Sequence, residues 1–140
     1  MKSFQFSSVT EFQKYAEVNQ KQGHIVFSSV ENVVGIAKGS SANTISCSTA
    51  GEYTSNGYCN GTITGFSYDL DIAEVVVIDS PPIKSLDRLK SAYHKVKNNP
   101  NAFALLLCDG LSQIEESIIT TFYFAANDFK IIGGSAGDNL

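Results

Sequence analysis

Apolar and polar residues alternate from Lys2 to Ser7 around Phe4 and Phe6, the period of a short strand. Ser8-Val9-Thr10-Glu11 then has the S-x-x-E form, in which a hydroxyl and a carboxylate satisfy backbone donors left open at a helix start. Phe12, Tyr15, Ala16 and Asn19 share one face of the helix it opens, and Gly23 is expected to stop it. His24 to Val30 (HIVFSSV) reads as a buried strand. Glu31 to Lys38 reads as a short helix closed by Gly39.

Asn43 to Ser48 predicts a further strand, running into the small-residue segment Cys47-Ser48-Thr49-Ala50-Gly51-Glu52. A turn at Ser55-Asn56-Gly57 leads to one long alternating strand, Tyr58 to Tyr68. One face of it carries Tyr58, Thr62, Thr64, Phe66 and Tyr68. The other, with Cys59, Gly61, Ile63, Gly65 and Ser67, is bare enough that another group must approach the backbone there. Ile72 to Ile78 (IAEVVVI) is expected to return as its antiparallel partner.

After Pro81-Pro82, residues Leu86, Leu89, Tyr93 and Val96 recur at helical spacing. The continuous apolar run Ala102 to Cys108 has the pattern of a central strand covered on both faces. Ser112-Gln113-Ile114-Glu115 repeats the capping-box form before a helix with Ile114, Ile118, Phe122 and Ala125 on one side. Phe129 to Ile132 is the last predicted strand, ending in Gly133-Gly134-Ser135-Ala136-Gly137-Asp138. The alternation of elements predicts an α/β fold: a mixed β-sheet of about six or seven strands with helices packed on it, in one domain over residues 1–140.

Composition narrows the function. Of the 140 residues 43% are hydrophobic and 17% charged, enough apolar surface for a core. A net charge of −4 excludes phosphate-backbone binding, which needs clustered Lys and Arg. No stretch approaches the roughly 20 apolar residues of a membrane span, and the first residues lack a secretory apolar core. A cytoplasmic protein with no membrane insertion is expected. Cys47, Cys59 and Cys108 cannot all pair within one chain and are expected to stay reduced.

Three predicted strand ends carry small, polar, glycine-rich segments: 47–52, Asp109-Gly110 and 133–138. Ligands of open α/β sheets bind beyond the carboxyl ends of strands. Successive backbone N–H groups there can cradle a carboxylate or phosphate, while Glu52, Asp109 and Asp138 suit an ammonium group. Any one such segment is more often a plain tight turn; three together shift the balance. Cys47 with His24 as base would make a cysteine-dependent enzyme, but Cys108 is most simply a small buried hydrophobe. No metal spacing, phosphate loop or dinucleotide loop is present, so no cofactor is implied. Lys84, Arg88, Lys90, Lys95 and Lys97 read as one solvated helix face.

In order and spacing, the three segments resemble the N-terminal part of the FIST domain, whose pattern has C-T/S-T-A-G-E, a later D-G, and G-G-x-A-G-D at strand ends. The resemblance implies a non-catalytic sensory input domain for small ligands, amino acids and related small carboxylates among them, coupled to a signalling protein partner. It implies ligand-facing roles for Cys47, Ser48, Thr49, Gly51, Glu52, Asp109, Gly110, Gly133, Gly134, Ser135, Gly137 and Asp138. The family pattern continues into a C-terminal half, so the resemblance leaves two expectations for residues 1–140: part of a larger FIST unit, or a shortened member. An unpaired sheet edge would then favour a homo-oligomer. A protein–protein interaction module is the further alternative, since glycine faces at Gly61 and Gly65 allow close packing.

Overall fold

The computed structural model describes residues 1–39 and 43–137. The chain forms two compact units, Met1–Ala73 with the residues from Ala136 onward, and Glu74–Ser135. The first holds β1 (Lys2–Phe6), α1 (Val9–Val18), β2 (Gln22–Ser28), α2 (Val30–Gly39), β3 (Thr44–Ser48), β4 (Glu52–Thr54), β5 (Gly57–Cys59) and β6 (Ile63–Asp69). Its main sheet has the order β1-β6-β2-β3; β6 is antiparallel to β1 and β2, and β2 is parallel to β3 across α2. The fold is α/β with a mixed sheet, as expected.

Local chemistry accounts for the start of α1. Ser8 Oγ accepts from the Glu11 N–H at 3.3 Å, and Glu11 Oε2 accepts from the Ser7 N–H at 2.9 Å. The helix lays Phe12 and Ala16 onto Val26 of β2, Ile63 of β6 and Ile36 of α2, with Phe4, Phe6 and Val9 packed around them. Phe12, Val26, Ile36 and Ile63 are fully buried. Gly23 lies inside β2 rather than ending a helix, which stops at Val18. Tyr68 explains the glycine, because its ring occupies the space a Cβ at 23 would need.

The bare face of the predicted strand 58–68 is the core face. Gly65 pairs with Phe4 on one side and Val26 on the other, and a Cβ there would collide with the Ile25 carbonyl and crowd the Phe4 ring. The approaching group is an aromatic cluster. The strand itself is not continuous: β5 belongs to a hairpin with β4, and β6 begins only at Ile63. Nor do residues 72–78 form a strand; they have no regular structure, and Ile72, Val75 and Val77 are exposed.

In the second unit a short 3-10 turn, Pro82–Ser85, leads into α3 (Leu86–Val96), followed by β7 (Ala104–Asp109), α4 (Glu115–Ala125) and β8 (Ile131–Ala136), whose last residue belongs to the first unit. Ala104 N–H donates to the Lys130 carbonyl near the start of both strands, and Cys108 meets Gly134 near their ends. The strands therefore run in the same direction across α4. They form a sheet of two, with β7 only half-buried along most of its length, so the expectation of a central strand covered on both faces is corrected. Two of the predicted solvated cations are paired: Arg88 with Asp79, and Lys95 with Glu74. No helix among the described residues is long and apolar enough to cross a membrane.

Candidate functional site

The parallel pair β2–β3 ends at Ser28 and Ser48, and the chain leaves it through Thr49-Ala50-Gly51. Four segments meet there. Thr49 N–H donates to the Ser28 carbonyl at 2.9 Å, extending the strand pairing by one residue. The buried Ser28 hydroxyl donates to the Thr62 carbonyl at 3.0 Å. The Asn32 side-chain amide, from the first turn of α2, donates to Ser28 Oγ and to the Gly61 carbonyl at 2.9 and 2.8 Å.

Glu52 fixes the loop from its far end. Its side chain is 3% exposed, a position that is costly for a carboxylate unless its oxygens are hydrogen-bonded. Both are: Oε1 accepts from the Thr49 hydroxyl at 2.6 Å and Oε2 from the Thr62 N–H at 3.1 Å. This explains the break between β5 and β6, since Thr62 turns its amide to the carboxylate instead of to a neighbouring strand. Tyr58 completes the base by donating its hydroxyl to the Ala50 carbonyl at 3.0 Å. The loop is held below while Ala50 faces solvent.

Gly137 reaches the same place from the other end of the chain. Its N–H donates to the Ser48 carbonyl at 3.0 Å, within the first unit. Two segments distant in sequence, 47–52 and the end of 133–138, thus share a backbone hydrogen bond; Asp138 lies outside the described residues.

His24 and Cys47 do not meet. Side chains alternate across a strand, and His24 is in register with Thr44 while Cys47 is in register with Phe27. His24 therefore lies on the α1 face of the sheet and Cys47 on the opposite face. His24 is fully buried among Phe4, Phe12 and Tyr15, with Nδ1 3.0 Å from Ser67 Oγ, which also meets the Tyr15 hydroxyl at 2.8 Å. Burial pushes the imidazole pKa below 6.5, opposed in part by the Asn19 backbone.

The other predicted site residues lie at the carboxyl end of β7 and along β8. Asp109 Oδ1 accepts from the Leu111 N–H at 3.0 Å, and its carbonyl accepts the Ser112 hydroxyl at 2.6 Å, which closes a turn through Gly110. That bond removes Ser112 from the expected capping box; Ile114 is the N-cap of α4, with no side-chain cap. Gly133 and Gly134 lie inside β8 rather than after it. Gly133 passes so close to Leu106 that a Cβ would strike its carbonyl oxygen. Ser135 donates to Glu115 Oε1 at 3.0 Å, and its Oγ is 3.5 Å from Cys108 Sγ.

A comparison with family models matches the FIST N domain over residues 24–140. The chain belongs to the FIST N domain family. That family is related to signal transduction, and the match supports a sensory domain. No curated protein and no solved structure matches the chain.

Within this FIST N domain the structure gathers Cys47, Ser48, Thr49, Gly51, Glu52 and Gly137 in one unit, and Asp109, Gly110, Gly133, Gly134 and Ser135 in the other. Sequence reasoning missed Ser28, Asn32 and Thr62. Ser28 carried a readable signal, as the polar end of an apolar strand facing a parallel crossover. Asn32 and Thr62 carried none, because their partners are set by tertiary placement.

Proposed function

We propose that this FIST N domain is the input module of a signalling protein and binds a small polar ligand, an amino acid or a related small carboxylate, without converting it. One observation carries the reading: Gly137 of the third family segment is bonded to Ser48 of the first, at the carboxyl end of a parallel strand pair where α/β sheets take ligands. Glu52 and Thr62 hold the loop beneath while Ser48, Thr49 and the Ala50 carbonyl are tied to Gly137, Ser28 and Tyr58, so the N–H groups of Ala50 and Gly51 are presented at little ordering cost. Output follows when the ligand favours one of two states of the domain, or of its complex with a partner or a second copy.

A thermal-shift screen of amino acids and small carboxylates at millimolar concentration tests the reading. A ligand present at about a hundred times its Kd stabilises the native state by about 2.7 kcal/mol, which raises the melting temperature measurably. Ser48→Pro, placed where the loop leaves β3, abolishes the shift of any hit while the protein still melts cooperatively. A flat response to every compound overturns the proposed ligand class.

A further inference from the structure

Cys108, Ser135 and Glu115 come from three elements of the second unit: β7, β8 and the first turn of α4. The half-buried Cys108 thiol lies 3.5 Å from Ser135 Oγ and 3.8 Å from the Gly134 carbonyl oxygen. Ser135 gives its own proton to Glu115 Oε1 at 3.0 Å, which leaves a lone pair of Oγ for the thiol. The thiol donates to the Gly134 carbonyl as it stands and reaches Ser135 Oγ by rotation of its S–H, from where the contacts run hydroxyl to carboxylate. Cys59 supplies an internal contrast. It is half-buried too, but its thiol meets Thr54 Oγ1 at 3.6 Å and the Gly57 carbonyl at 3.8 Å, and the Thr54 hydroxyl passes on to that same carbonyl, a group that does not take up a proton.

We propose that Cys108 is a modification site, a thiol that reacts with hydroperoxides while Ser135 relays its proton to Glu115. Sulfur attacks one peroxide oxygen, so an S–O bond forms as the O–O bond breaks. Sulfur gives up two electrons and the peroxide takes them. The thiol proton passes through Ser135 and Glu115 to the departing oxygen, which leaves as water from hydrogen peroxide or as an alcohol from an organic hydroperoxide. The product is a cysteine sulfenic acid, the reversible first step of thiol oxidation. A positioned base contributes roughly a hundredfold or more to such proton transfers. The site does not depend on the ligand reading, since the relay is complete within the chain.

The test treats the full chain with hydrogen peroxide, with no other small ligand added. Sulfenic acids are trapped with dimedone and Cys47, Cys59 and Cys108 are compared by peptide mass spectrometry over pH 5–8. Cys108 is labelled about tenfold or more faster than Cys59, a conservative share of what a positioned base supplies. Glu115→Gln keeps an acceptor for Ser135 but removes the base, and lowers the Cys108 rate towards that of Cys59. Ser135→Ala breaks the relay without altering α4 and gives the same loss. Equal rates at Cys108 and Cys59 in the native chain overturn the proposal, as does a wild-type Cys108 rate in either folded variant.

Discussion

His24 shows how a single residue ties sequence to stability. Its imidazole is enclosed by Phe4, Phe12 and Tyr15, with Ser67 Oγ on Nδ1, the Tyr15 hydroxyl behind Ser67, and the Asn19 backbone close enough to oppose part of the effect of burial. Nε2 is buried without a hydrogen bond, as is Oγ1 of Thr44, its register partner on β3. The ring therefore stays neutral in the fold, and its pKa is lowered by burial. Above about pH 6.5 both folded and unfolded states hold a neutral imidazole. As the pH falls through that value the unfolded chain takes up a proton that the folded one refuses, so stability drops towards acid. Urea unfolding between pH 7.5 and 5 shows this slope, and His24→Gln reduces it; an unchanged slope in that variant contradicts the assignment. The histidine's identity was visible in the sequence. Its burial against α1 was not, because the alternation of a strand does not say which face receives the helix.

At the scale of elements, legibility follows the range of the interaction. The cap at Ser8 was readable since both of its bonds lie within a few residues, and Ser8→Ala is expected to destabilise the domain by about 1 kcal/mol. Ser112 presents the same letters, yet Asp109 captures its hydroxyl first, a competition that a four-residue pattern does not contain. The predicted strand 58–68 breaks because Glu52 draws the Thr62 amide away, and IAEVVVI stays unpaired because β-propensity describes how a segment fits a sheet without providing its neighbour. Gly65 is conspicuous in the sequence as a bare position in an alternating strand, and the structure supplies the cause in Phe4 and the Ile25 carbonyl. Gly65→Ala overpacks this face and is expected to cost about 1–3 kcal/mol in a denaturation experiment. The match to the FIST N domain starts at His24, so β1 and α1, which furnish Phe4, Phe6 and Phe12 to the core, come before it.

For the molecule as a whole, the segments that marked the family were visible as small-residue runs, but their grouping was not. Residues 47–52 and Gly137 meet in one unit, whereas Asp109, Gly110, Gly133, Gly134 and Ser135 belong to the other. The acidic balance names no ligand, and buried Glu52 uses its charge to hold a loop. The central claim is that a small polar ligand binds where Gly137 meets Ser48. Backbone amide chemical shifts, followed during titration with the compound that gives the largest thermal shift, test it most directly. The account predicts saturable changes concentrated at Ser48–Glu52 and Gly137, with Thr62 following through Glu52. Saturable changes elsewhere, with these amides unmoved, would contradict it.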